Sequence, residues 1–373
     1  MYLKQRLLLL SVVLSVLCLI TRHTWAHPVW HDDDALTRRE CRKVDIMTRN
    51  MYLGTDFTEI FAAQDTPTLL AEVAEAFAEV KASKVRSRID VIAQEIKSAK
   101  PDLVSLQEAV VWQTGPFDPS QPSANSVAFD YLELLLDELN EKKKLRYEPV
   151  AVLTNLVAEA PAIGPAGLFD VRFTDRIVLL ARADLRRREL NVENVVAQHF
   201  STVLSVPSPT LGLITIPRGF IAADIGRCNQ TFRFVTAHLE SFEEVLGLPF
   251  PIFRFAQASE LLQGPVATSL PLVLAGDFNA DAENPADPVY QLLLSEGLLD
   301  AWDATHPNRP GFTWPLFLES PFIFTNPTQR LDLVLTRGHI KPTETELVGE
   351  NDVTRWRALP SDHAGVLATL KLK

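Results

Sequence analysis

The chain has 373 residues, three cysteines and a formal charge of −11 at pH 7. A protein whose affinity rests on bulk contact with phosphate backbones is more often basic, so this balance argues against a nucleic-acid-coating role. It leaves open a site in which a metal ion and a few local arginines do the work.

Residues 1–26 read as a separate unit: Lys4 and Arg6 precede the apolar run Leu7–Ile20, and Ala26 offers a small residue for cleavage. This is the pattern of a secretory signal peptide. The run is shorter than the roughly 20 residues that span a bilayer, and Cys18 lacks the small residues before it that a lipoprotein anchor would need. Cleavage would leave residues 27–373 at a charge of −14, since Lys4, Arg6 and Arg22 depart with no acid. A secreted or extracytoplasmic protein is expected, with no transmembrane segment in the mature chain.

Residues 27–43 read as a solvated N-terminal arm and 44–373 as one domain. VDIMTRNMYLG (44–54) alternates as a strand and ends in Asn50. Apolar spacings of three and four predict helix from Thr68 to Lys100, stopped by Pro101. LVSLQE (103–108) is a short buried strand, 112–126 a Pro/Gly/Ser loop, 129–140 a helix and 146–153 a strand. A second loop is predicted over 158–170, then a strand over 176–182. Residues 191–226, punctuated by Pro207, Pro209 and Pro217, suggest a hairpin. FRFVTAHL (232–239) is a strand, 245–253 an apolar loop, and 254–263 a helix. PLVLAGDFN (271–279) is a strand, 288–297 a helix, and strands close the chain at 330–338, 343–349 and 365–373. Strands alternating with helices predict an α/β fold, a four-layered α/β-sandwich with two packed mixed sheets flanked by helices.

Four of these strands deliver polar side chains at an end: Gln107 and Glu108, His238, Asp277 with Asn279, and Asp362 with His363. Asp277 and Asn279 flank Phe278 and so share one face. Asp332 stands among Leu331, Leu333, Val334 and Leu335, where an unpaired charge would cost several kcal/mol. A histidine is its natural partner. Carboxylates suit a hard divalent cation and imidazoles a phosphate ester.

In this order the motifs MTRN, QE, AHL, GDFN, LDLVL and SDH resemble the endonuclease/exonuclease/phosphatase superfamily over about residues 44–373. The resemblance implies Glu108 as principal metal ligand, with Asp362 and Asn50 beside the ion or its waters, and Mg²⁺ or Mn²⁺ as the metal. It implies that Asp277 orients or deprotonates the attacking water and that Asn279 holds that water and a phosphate oxygen. His238 and His363 would flank the phosphate, with Asp332 paired to His363. Asp175 and Arg176 stand where relatives place phosphate-contacting groups, and Arg254 and Gln257 resemble a supporting Arg-x-x-Gln helix. Tyr52 departs from the abasic-site enzymes, which carry an acid two positions after the motif Asn, so no ligand role is transferred to it.

The expected activity is hydrolysis of a phosphodiester by direct in-line attack of water, in a monomer. The leading substrate is a nucleic acid. The alternative is a phospholipid or its headgroup, suggested by the apolar stretches 211–220 and 245–253. A catalytically inactive binding module is the third reading, disfavoured because every motif acid and histidine is present. In an exported protein Cys41 and Cys228 can pair. They lie nine residues before Asn50 and ten before His238, so two strands that deliver those residues to one end would start together at the other.

Overall fold

The central strands of this chain are buried on both faces, which is why they read as continuous apolar runs and not as alternating ones. The computed structural model describes residues 40–141, 144–242, 247–248, 250–316, 326–353 and 359–373. The expected signal peptide, all of the arm before Glu40, and part of the apolar loop 245–253 lie outside the described residues. Those that are described belong to one compact unit, Leu36–Lys373.

A 3₁₀ turn (Glu40–Arg42) leads into β1 (Lys43–Asn50), α1 (Thr58–Ala62), α2 (Thr66–Ala82) and α3 (Val85–Ala99). Then come β2 (Leu103–Gln107), β3 (Val111–Pro116), β4 (Ser126–Asp130), α4 (Tyr131–Asn140), β5 (Tyr147–Gly164) and β6 (Gly167–Arg182). β7 (Asn191–His199), β8 (Leu204–Ser208), β9 (Gly212–Ile216), β10 (Gly219–Arg227) and β11 (Gln230–His238) follow. The chain continues through α5 (Ile252–Gln263), β12 (Leu272–Asp277), α6 (Pro288–Ser295), β13 (Leu299–Asp300) and α7 (Ala301–Thr305). It ends with β14 (Asp332–Arg337), β15 (Ile340–Val348) and β16 (Gly365–Leu372).

One sheet has the order β15-β16-β1-β2-β6-β3-β4, with β5 along the other edge of β6; the second has the order β13-β14-β12-β11-β10-β7. Each is mixed, with a parallel pair at its centre, β1 with β2 and β11 with β12. Period-two alternation divides the side chains between cores. Ile46, Ile177, Leu179, Phe232, Phe234, Val273, Val334 and Val366 fill the space between the sheets. Met47, Val104, Val178 and Leu180 face α2, α3 and α4, while Val235, Leu272, Leu274, Leu333 and Leu335 face α5 and α6. Helix, sheet, sheet and helix make the four layers that were expected.

Two of the helices over the first sheet start at side-chain caps. Asp65 accepts from the Thr68 amide at α2, with a proline in its first turn, and Asp130 accepts from Leu132 and Glu133 at α4. Left-handed Lys84 separates α2 from α3, and left-handed Lys100 ends α3 before Pro101.

Three loop or hairpin expectations need correction. Residues 158–170 are not a loop, because β5 and β6 run through them as one hairpin turning at Gly164–Gly167. Pro161 is tolerated because β5 pairs only with β6, so its missing N–H is not needed by a second neighbour. Residues 112–116 of the other loop, 112–126, belong to β3, paired with β6. The 191–226 hairpin is β7 with β10, and the small β8–β9 pair is inserted between them.

Cys41 and Cys228 are disulfide-bonded, with Cα atoms 5.6 Å apart at a sequence separation of 187. The bond ties the starts of β1 and β11. Arg330, 1% exposed, binds Glu283 at 2.6 Å, Asp300 at 2.6 Å and Asp303 at 2.7 Å, and so anchors the chain two residues before Asp332.

Candidate active site

Register alone assembles most of the site. Parallel β11 and β12 set His238 beside Asp277, and antiparallel β12 and β14 set Asp277 opposite Asp332. In the other sheet, parallel β1 and β2 set Asn50 beside Gln107, one residue before Glu108. The two rows meet where Asn50 Nδ2 donates to Asp277 Oδ2 at 3.0 Å. There a cavity of about 380 Å³ opens, lined by Glu108, His238, Asp277, Asn279, Asp362 and His363, with Arg254, Asp281, Asn284, Asp287 and Trp314 also on its wall.

The strand ends run into left-handed residues, Tyr52 at φ 59°, Glu108 at φ 54° and Asn279 at φ 48°, of which Glu108 and Asn279 line this space. Asn adopts this conformation readily; for the other two it costs roughly 1–3 kcal/mol each. Local bonds hold the turns. The Tyr52 amide donates to Asn50 Oδ1 at 2.9 Å and the Leu53 amide to Glu108 Oε2 at 2.6 Å. The Asn279 amide donates to Asp277 Oδ1 at 3.0 Å, and Asn279 Nδ2 to the Leu239 carbonyl at 3.0 Å.

Asp277 is the hub. Its Oδ2 lies 3.6 Å from His238 Nε2 and 3.9 Å from His363 Nε2. Burial would raise its carboxyl, but His363, His238 and the Asn50 bond outweigh that and hold it below the usual carboxylate range. The two imidazoles are driven in opposite directions. Burial and then Arg218 push His238 down to about 4. Burial alone would lower His363, yet Asp332 and Asp277 raise it to about 10. His363 Nδ1 bonds to Asp332 Oδ2 at 2.8 Å, as expected for an acid–imidazole pair. Near neutral pH the arrangement is one imidazolium, one neutral imidazole and one carboxylate between them.

Oxygens of Asp277 and Asp332 and a nitrogen of His363 lie within 4.8 Å of one another. Since Asp332 Oδ2 is engaged by His363, this group is better suited to orienting an imidazole than to caging an ion. Glu108 fits a cation instead. Burial first, and then the Asp362 carboxylate, push it up to about 8. Two carboxylates facing each other in a half-buried site are what a hard divalent ion would relieve, and their oxygens are the donors it takes.

Further side chains position these groups. Arg49, fully buried in β1 and paired with Glu95 at 2.9 Å, donates to the carbonyls of Asn50 and His363. Arg88 of α3 bonds the carbonyls of Met51 at 2.9 Å and Pro360 at 3.0 Å. Ser361 Oγ bonds the Asn50 carbonyl at 2.9 Å and accepts from the His363 amide at 3.1 Å. Gln257 Oε1 accepts from the Glu240 amide at 2.9 Å, holding the segment after His238, while Arg254 reaches the cavity wall itself. The phenol of Tyr52 is kept well above its ordinary pKa by burial and then by Asp362.

Arg176 requires correction. Consecutive residues of a strand point to opposite faces, so Asp175 and Arg176 cannot both meet a phosphate. Arg176 turns away to the Ala109 carbonyl at 2.6 Å and to Asp130 at 2.6 Å, the N-cap of α4. Asp175 stays on the inner side, where Asn155 Nδ2 donates to it at 3.0 Å and Arg218 Nη1 lies 3.6 Å away. Arg218 was not singled out from sequence; its only signal was a cation inside the apolar stretch LGLITIPRGF.

Among solved structures, similar folds include a mannosyl-6-phosphatase from Bacteroides thetaiotaomicron VPI-5482, with TM-score 0.52 and 16% identity over 88% of this chain and 99% of that one. A family protein from Leptotrichia buccalis C-1013-b aligns at TM-score 0.51 and 15% identity over 88% of this chain and 100% of its own. D. rerio TDP2, solved with a single-strand DNA product, aligns at TM-score 0.50 and 16% identity over 88% and 99%. At such identities these likenesses bear on the fold alone. No curated protein matches the sequence. The sequence model of the Endonuclease/Exonuclease/phosphatase family matches residues 76–363, most of the chain, and the chain belongs to that family.

Proposed function

We propose that this protein is an exported, divalent-metal-dependent hydrolase that cleaves a phosphodiester by direct attack of water on phosphorus. The observation that carries the reading is the Asp277 carboxylate set 3.6 Å and 3.9 Å from two imidazoles, on the wall of one cavity shared with Glu108 and Asp362. Glu108 and Asp362, with Asn50, would hold Mg²⁺ or Mn²⁺, which when bound would neutralise charge on the phosphate oxygens.

The protein's own groups do the rest. Asp277, ionised and fixed by Asn50 and the Asn279 amide, accepts a proton from the attacking water. Asn279, whose Nδ2 is tied to the Leu239 carbonyl, turns its amide oxygen toward that water. His238, neutral, donates from Nε2 to a phosphate oxygen. His363, held as imidazolium by Asp332, stabilises the charge that grows at phosphorus and has a proton to give the leaving oxygen.

Nucleic acid is the leading substrate, on the analogy of family and compartment. The N-terminal pattern supports export. One observation favours a second reading, a phospholipid or headgroup diester: Leu213, Leu248, Phe250 and Ile252 are exposed, with Leu213 at 68%. Among the described residues no helix is long and apolar enough to cross a membrane. The deciding experiment compares duplex DNA, single-stranded DNA, RNA, sphingomyelin vesicles and a small phosphate monoester with Mg²⁺ present. Turnover of a nucleic acid supports the leading reading, turnover of sphingomyelin alone the second, and turnover of none overturns both.

A further inference from the structure

Beside His238 lies a buried polar cluster that the mechanism above does not use. Arg218, which ends the turn before β10, is 5% exposed and is not on the cavity wall. Its Nη1 sits 3.1 Å from His238 Nδ1 and 3.6 Å from Asp175 Oδ2. Its Nη2 lies 3.3 Å from Ser241 Oγ and 3.7 Å from Glu240 Oε1. Asp175 is in turn held by Asn155, which a bulge in β5 aims at it: Thr154 pairs with Arg176 and Val157 with Thr174, so two residues of β5 oppose Asp175. Register completes the arrangement, since Gly219 pairs with His238 across β10 and β11 and places the preceding Arg218 beside the imidazole.

A guanidinium has donors and no acceptor. The contact between Arg218 Nη1 and His238 Nδ1 is therefore a hydrogen bond only if Nδ1 carries no proton, which leaves the proton of a neutral ring on Nε2, the nitrogen that faces Asp277. We propose that Arg218 is a positioning residue that locks His238 in the Nε2–H form and aims that N–H into the cavity, with Asp175 and Asn155 holding Arg218 in place. The arrangement differs from that of His363, whose Nδ1 meets a carboxylate and so carries a proton. The same fold thus sets one imidazole by a carboxylate that accepts from it and the other by an arginine that donates to it, which makes the two rings chemically unequal. Asp175 then acts through Arg218 and not on the phosphate. The catalytic consequence rests on the reading of the site as a phosphohydrolase; the tautomer itself does not.

The test is a long-range ¹H–¹⁵N spectrum of the His238 ring in the full chain, recorded without substrate, for wild type, Arg218→Lys and Arg218→Gln. Lysine, like arginine, only donates, whereas the glutamine carbonyl can accept a proton from Nδ1. Wild type and Arg218→Lys should show the Nε2–H tautomer alone, and Arg218→Gln a mixture. With whichever substrate is turned over, kcat should fall by roughly 10²-fold in Arg218→Gln, at the low end of what positioned proton donors contribute, and recover in part with lysine. An Nδ1–H or doubly protonated ring in wild type at neutral pH overturns the proposal even if no substrate is found or a variant does not fold. A folded Arg218→Gln with a pure Nε2–H spectrum and wild-type kcat overturns it equally.

Discussion

In the presence of a chelator the protein should lose stability as pH rises from about 4.5 towards about 8, because the carboxyl of Glu108 is displaced across that window. The direction follows from linkage: a group whose folded pKa is raised favours the folded state below its unfolded pKa, and that contribution is lost as pH climbs through the folded value. A displacement from 4.5 to about 8 corresponds to about 5 kcal/mol at 1.36 kcal/mol per unit. Glu108 is only half-buried and shares its proton with Asp362, so solvent screening and coupling bring the realised effect to about 2 kcal/mol. A divalent cation at a hundred times its dissociation constant would add about 2.7 kcal/mol. For a folded chain of about 330 residues that is a rise in Tm of about 4 °C. The assay is thermal unfolding in EDTA and in MgCl₂ at about pH 5 and about pH 8.5, on either side of the window, for wild type and Glu108→Gln. Wild type should show the cation shift at the higher pH and a steeper pH slope in EDTA than Glu108→Gln, which should lose the cation shift and the Glu108 share of the slope while keeping the share of the likewise raised His363. Equal stability of apo wild type at both pH values, or an undiminished cation shift in Glu108→Gln, would refute the assignment.

Replacing His238 or His363 with alanine should lower turnover by roughly 10²–10⁴-fold in folded protein, measured by steady-state kinetics; retention of more than about a tenth of activity would make both assigned roles wrong. Cys41→Ser or Cys228→Ser should destabilise the chain by about 2–5 kcal/mol in denaturant titrations, and non-reducing peptide mapping of wild type should recover the two cysteines linked. Arg330→Met leaves Glu283, Asp300 and Asp303 without their cation, so a loss of about 3–5 kcal/mol is expected; an unchanged denaturation midpoint would show that these acids find other partners.

The fold and the centre of the site were legible for one physical reason. A residue such as Asp277 or His238 at the end of an apolar run cannot be core, and strand alternation says which neighbour shares its face. Layering was legible too, since apolar runs buried on both sides need a partner on each. What was obscured was set by pairing. Pro161 and the glycines around it read as a loop, yet an edge strand needs only one set of hydrogen bonds, and β5 continues through them. Arg176 looked like a phosphate ligand beside Asp175 until the strand's period put it on the far side, bonded to Asp130. Arg218, Arg49 and Arg88 were missed because each acts through contacts distant in sequence, Arg49 and His363 being 314 residues apart. No local pattern marks an arginine whose partners are backbone carbonyls and a ring nitrogen brought to it by the fold.

The central claim is a single displacement by water at phosphorus, carried by Asp277 between two imidazoles, with a divalent ion beside Glu108. It is tested most directly by hydrolysing a phosphorothioate diester of one configuration at phosphorus in ¹⁸O-labelled water with Mg²⁺, and reading the configuration of the product. The account predicts inversion at phosphorus, one solvent oxygen in the product, and no turnover in EDTA. Retention of configuration, which requires a covalent enzyme intermediate, or undiminished turnover in EDTA, would contradict it.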